Sequence, residues 1–100
     1  MTDKIKVQVS KDIEVLVPRY LERRRREIET FRAALAGQDF DALRIGGHSL
    51  KGSGGGYGFD ALTLIGGRIE KAAQQRDAAT LDAAIAEYAD YMARLEVMFD

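Results

Sequence analysis

Leu81, Ile85, Tyr88, Met92, Leu95 and Phe99 are separated alternately by four and three residues. This is the cleanest helical pattern in the chain, because that spacing puts all six on one face of an α-helix. A helix with one apolar stripe has to bury it against a neighbour. Three more stripes are present. Val17, Leu21, Ile28, Phe31 and Leu35 form one, Phe40, Leu43, Leu50 and Tyr57 a second, and Leu62, Ile65, Ile69 and Ala72 a third. With a single proline and a helix-favouring composition, the pattern predicts an all-α domain spanning 1–100. Its main helices are expected over 18–36, 39–57, 60–75 and 78–99, packed as an antiparallel four-helix bundle.

The N-terminus reads differently. Ile5, Val7 and Val9 alternate with polar residues, as in a strand. With no partner strand in view, residues 1–9 are expected to be an extended lead-in. Ser10 can cap a short helix over 11–17, and Pro18 should break or kink the chain near Val17. Gly37 is the expected stop of the first long helix. Asp39, Asp60 and either Asp77 or Thr80 are the expected starts of the next three.

Composition removes several classes of function. A formal net charge of −1 gives no global attraction to nucleic acid or to acidic membranes. The absence of cysteine excludes disulfides, thiolate zinc sites and cysteine nucleophiles. No apolar run approaches the roughly 18 residues of a membrane span, and the first residues lack the apolar core of a secretory signal. A cytoplasmic protein is the expectation. The run Arg23-Arg24-Arg25-Arg26 covers a whole helical turn, so it cannot make one stripe, and Glu22, Glu27 and Glu29 dilute it. Arg24 alone falls on the apolar stripe, between Leu21 and Ile28, where it can snorkel or pair at the bundle edge.

Seven glycines lie between Gly46 and Gly58. At about 1 kcal/mol each inside a helix, they weigh against regular structure. As a loop the segment would be a phosphate cradle, but Lys51-Gly52-Ser53 has the order of a Walker loop reversed, and no βαβ unit surrounds it. As a helix it keeps Leu43, Leu50 and Tyr57 in register with the core. Gly47 and Gly54 then fall on the apolar stripe, where a neighbouring helix can come close. Gly52 and Gly55 fall beside His48 and leave it uncovered. The helix is expected to fray or bend near Gly54–Gly56.

His48 is the only histidine. On a helix it points roughly 140–160° away from Leu43 and Leu50, out of the core. Its face holds Asp41, Arg44, Ile45, Lys51, Gly52 and Gly55. A metal site needs more ligands, and no carboxylate stands three or four residues from His48. Ser49 and Ser53 are not placed as partners of a hydrolytic triad. Phosphoryl transfer asks for less: a neutral imidazole is a competent nucleophile, and Lys51 can balance the phosphoryl oxygens.

The run His48-Ser49-Leu50-Lys51-Gly52-Ser53, with the later Gly58, resembles the signature of histidine-containing phosphotransfer (HPt) domains, His-x-Leu-Lys-Gly-Ser/Ala on the second main helix of a four-helix bundle. The length and helical layout fit as well; Gly54-Gly55-Gly56 is richer in glycine than the usual pattern. The resemblance implies a phosphocarrier with no ATP site and no kinase activity. His48 would accept a phosphoryl group on Nε2 from the aspartate of a response-regulator receiver domain and pass it to another. Lys51 would steady the phosphate. Gly52 and Gly55 would give access, and Ile45 and Arg44 would contribute to docking. The receiver would supply the Mg²⁺; no cofactor of the chain's own is expected. A hybrid sensor histidine kinase is a further candidate partner, and a monomer is expected. Two rivals stand beside this reading: a helical module that docks receivers without stable phosphorylation, and a small nucleic-acid-binding bundle built on the arginine run.

Overall fold

A computed structural model describes residues 3–100. The order is β1 (Ile5–Val9), a 3-10 turn at Lys11–Ile13, α1 (Val17–Ala36), α2 (Phe40–Gly54), a second 3-10 turn at Gly55–Tyr57, α3 (Asp60–Gln74), α4 (Ala78–Arg94) and β2 (Leu95–Phe99). Four helices carry the core. Leu43, Leu50, Phe59, Leu62, Ile69, Leu81 and Tyr88 are wholly buried in it. Their stripes are those the spacing predicts: Val17, Leu21, Ile28 and Phe31 from α1 meet Leu81, Ile85, Tyr88 and Met92 from α4.

The helix ends are set by local chemistry. Asp39 and Asp77 each accept a hydrogen bond from the backbone N–H three residues on, at 3.1 Å, and so cap α2 and α4. Pro18 sits in the first turn of α1, where its missing N–H costs nothing. Asp60 lies in the first turn of α3 rather than at its cap, which is Phe59 and makes no side-chain bond. α1 ends at Ala36 with Gly37 as its C-cap, as expected, but Gly37 does not supply the left-handed turn. Gly37 has φ −88°, and the left-handed residue is Gln38 at φ 57°. Asp39 N–H closes back on Ala34 O at 2.8 Å and Gln38 N–H on Leu35 O at 3.0 Å. Arg76, at φ 53°, ends α3 in the same way. Each left-handed residue is followed directly by the aspartate that caps the next helix, so stop and restart share two residues.

The two ends of the chain depart furthest from expectation. Residues 5–9 are not an unpaired lead-in: β1 pairs in parallel with β2, with Ile5 opposite Leu95 and Val9 opposite Phe99. The expected fourth helix over 78–99 therefore stops at Arg94. Leu95 and Phe99 keep their inward direction because alternation serves a strand as the three–four spacing serves a helix. The expected helix over 11–17 is only the 3-10 turn, and the expected helix to 57 is α-helical only to Gly54. Gly58, at φ 89°, then turns the chain into α3.

Arg24 pairs at the bundle edge, its Nε 3.4 Å from Glu27 Oε1, with its guanidinium over the Tyr20 ring. Tyr88 O–H donates to the same carboxylate at 2.8 Å. Burial raises the Glu27 carboxyl above its ordinary range, against the pull of Tyr88 and Arg24. Burial and the Glu27 charge together hold the Tyr88 phenol un-ionised. Of the other arginines in the run, Arg26 pairs with Glu22 at 2.8 Å. No helix among the described residues is long and apolar enough to cross a membrane.

Candidate functional site

Two helices build the site by unusually close contact. A Cβ added to Gly47 on α2 would lie 2.6 Å from Glu70 N and 2.9 Å from Gly66 O. One added to Gly66 on α3 would lie 2.4 Å from Lys51 N. No side chain fits at those distances, so the two backbones touch there. The consequence lies one step outward. Glu70, on α3, comes level with His48 and Lys51, on α2. His48 Nδ1 is 2.8 Å from Glu70 Oε2, and Lys51 Nζ is 3.0 Å from Glu70 Oε1.

The protonation pattern follows from the partners. Lys51, then His48, hold the Glu70 carboxyl below its ordinary range, against its partial burial. An ionised carboxylate only accepts, so Nδ1 carries the proton and donates. In the neutral ring the lone pair is then on Nε2. The imidazole is 69% exposed while Glu70 is 15% exposed, so the carboxylate is sheltered and the ring is not.

The remaining expected site residues separate. Ile45 is 55% exposed. Gly52 is open, with nothing within 4 Å of a Cβ built on it. Lys51 is not idle beside the ring; it is tied to Glu70. Arg44 is held by Asp41, at 2.8 Å on its own helix. Gly55 does not leave a bare flank. Its N–H donates to Thr63 Oγ1 at 2.9 Å, and Thr63 O–H donates to Lys51 O at 3.2 Å, so Gly55 belongs to the α2–α3 joint. Ser53 joins α2 to α1 through Tyr20 O–H at 2.9 Å.

Glu70 is the residue that sequence reasoning missed, because it lies 22 residues from His48 and on another helix. A signal was present. Ile45-Gly46-Gly47 on α2 recurs as Ile65-Gly66-Gly67 on α3, marking where the two helices can meet, and Glu70 stands one turn past Gly66. Among the described residues no group of three His, Cys, Asp or Glu side chains could hold a metal ion. A groove of about 500 Å³ between α3, α4 and β1 is lined by Leu64, Ile65, Tyr91 and neighbours, and none of His48, Lys51 or Glu70 borders it. The histidine stands on an open helix face, which suits a macromolecular partner better than a pocketed small molecule.

A four-helix bundle that offers one oriented, exposed imidazole to solvent fits a histidine phosphotransfer type of domain. The family model described as Hpt domain matches residues 15–97, and the chain belongs to that family. No curated protein and no solved structure matches the chain. Membership gives a histidine phosphotransfer role in two-component systems, as a phosphocarrier rather than a kinase, among partners that include receiver domains and kinases.

Proposed function

We propose that His48 is the phosphoryl acceptor and donor, and that it relays the group between receiver-domain aspartates. The observation that carries this reading is the bond from Nδ1 to Glu70, which leaves Nε2 as the free, outward nitrogen. In the forward step the Nε2 lone pair forms a bond to phosphorus as the acyl phosphate P–O bond breaks. The receiver's aspartate leaves as a carboxylate. No proton moves: Nδ1 keeps its hydrogen, and the ring becomes a phosphoimidazolium. Glu70 neutralises the positive charge that appears on the ring, and by accepting from Nδ1 it raises the electron density at Nε2. Lys51, on the same carboxylate, turns toward the phosphoryl oxygens once they arrive. Gly52 lets the partner's backbone approach, and Ile45 supplies apolar contact. Mg²⁺ comes with the receiver. The carrier works as a monomer in the cytoplasm, with Arg44 at the margin of the docking face.

The test is transfer from a phosphorylated receiver in Mg²⁺, read by intact mass. Wild type takes up one acid-labile, base-stable phosphate. His48→Gln takes up none while still binding the receiver. A label on His48→Gln would place the acceptor elsewhere, and docking without any label on wild type would leave a docking module.

A further inference from the structure

Most glycines around His48 have a reason inside the molecule. Gly47 and Gly66 are the contact between α2 and α3. A Cβ at Gly46 would strike the Phe31 ring at 2.4 Å, and one at Gly54 would strike Thr63 N at 2.7 Å. Gly58 takes a positive φ. Gly52 and Gly56 have neither reason. A Cβ at either meets nothing within 4 Å, and among the described residues Gly58 is the one glycine with positive φ. Alanine would suit the local backbone better at both. Nothing among the described residues therefore accounts for glycine at these two positions.

The two sides of the imidazole differ. Glu70 and Lys51 occupy one. On helical phase the other carries Ile45 and Gly52, and Gly56 lies beyond Gly52 in the 3-10 turn that follows α2. We infer that Gly56 is a docking residue: the receiver that exchanges phosphoryl with His48 lies over a bare track running from Gly52 to Gly56. The inference rests on the reading of His48 as acceptor. Two arguments choose the occupant. A partner that brings phosphorus within bonding range of Nε2 is already against α2 at Gly52, and Gly56, equally open, follows just past the end of that helix. Even a transient protein contact covers several hundred Å² on each side, more than one helical turn around His48 can offer.

The experiment compares wild type, Gly56→Ala, Gly56→Gln and a control, Ala86→Gln, at an exposed position on α4. Two donors are used: a phosphorylated receiver with Mg²⁺, and phosphoramidate, which reaches the imidazole without docking. Thermal melting checks that each variant folds. Gly56→Gln should lose about tenfold or more in transfer from the receiver below saturation, and Gly56→Ala less. Both should label from phosphoramidate at the wild-type rate, and Ala86→Gln should match wild type with either donor. Receiver transfer by Gly56→Gln at the wild-type rate would overturn the inference and leave the role of His48 standing. Loss of phosphoramidate labelling in the same variant would also overturn it, because the damage would then be at the imidazole. Wild type that takes no phosphoryl from any receiver would remove both claims.

Discussion

An imidazole whose Nδ1 donates to a carboxylate has one nitrogen left to react, and at His48 that carboxylate is Glu70, 2.8 Å away. On the proposed mechanism the charge on Glu70 matters as much as its position, because the ring would turn cationic on bonding phosphorus at Nε2. Glu70→Gln keeps the shape and loses the charge. Phosphoryl transfer from a receiver should fall by about ten- to a hundredfold, the usual cost of removing such an orienting partner. His48 should at the same time populate the other tautomer in the ¹⁵N spectrum. A fall in rate with the tautomer unchanged would mean that Glu70 acts on docking instead. The same residue gives a pH signature. Its carboxyl is held below the ordinary value of 4.5 by Lys51 and then by His48. The stability this confers is present above the ordinary value and lost as pH falls through the lowered one. Urea unfolding of wild type and Glu70→Gln should therefore differ most above pH 4.5 and draw together as pH falls below it. Parallel curves through that range would remove the ion pair from the account.

Among the elements, the pair α2 and α3 decides the site. Gly66→Ala forces a methyl to 2.4 Å from Lys51 N, so the helices must part and Glu70 withdraws from His48. A loss of about 1–3 kcal/mol is expected from such overpacking. Gly67→Ala, one residue on, meets only the flexible Lys51 Cδ at 3.4 Å. It should be neutral or slightly stabilising, since alanine favours the helix. Chemical denaturation of the two variants checks this, and equal stabilities would deny the close contact its role. The four helices were legible because each carries its own apolar stripe. His48 was legible because its phase opposes Leu43 and Leu50. Glu70 was not, because it stands 22 residues away and its approach depends on two backbones meeting at glycine. The left-handed turn at Gln38 escaped for a related reason: glycine is the residue that position favours, and here it sits one place earlier.

At the scale of the whole molecule, β1 and β2 tie the two ends of the described chain together. Asp100 N–H donates to Val9 O at 3.3 Å, and Lys11 N–H to Asp100 Oδ1 at 3.1 Å. Val9 is 2% exposed, so the pair closes one part of the core as well as crossing the termini. Each strand was visible in outline, Ile5-Val7-Val9 by alternation and Leu95-Val97-Phe99 hidden inside a helical spacing. Their pairing was not, because a parallel partner some 90 residues distant leaves no local mark. Deleting residues 1–9 should cost at least the about 1.5–3 kcal/mol of burying Val9. Amide exchange over Leu95–Phe99 should become fast while α2 and α3 keep their protection, and unchanged protection in β2 would show that the strand stands without its partner.

The most direct measurement of the central claim uses the fact that His48 is the only histidine. Protein labelled with ¹⁵N in histidine is observed by long-range ¹H–¹⁵N correlation before and after phosphorylation by a receiver. The free protein should show a protonated Nδ1 and the phosphorylated protein a phosphorus coupling to Nε2 with Nδ1 still protonated. Phosphorus on Nδ1, or a phosphorylated protein whose histidine signals do not move, would contradict it.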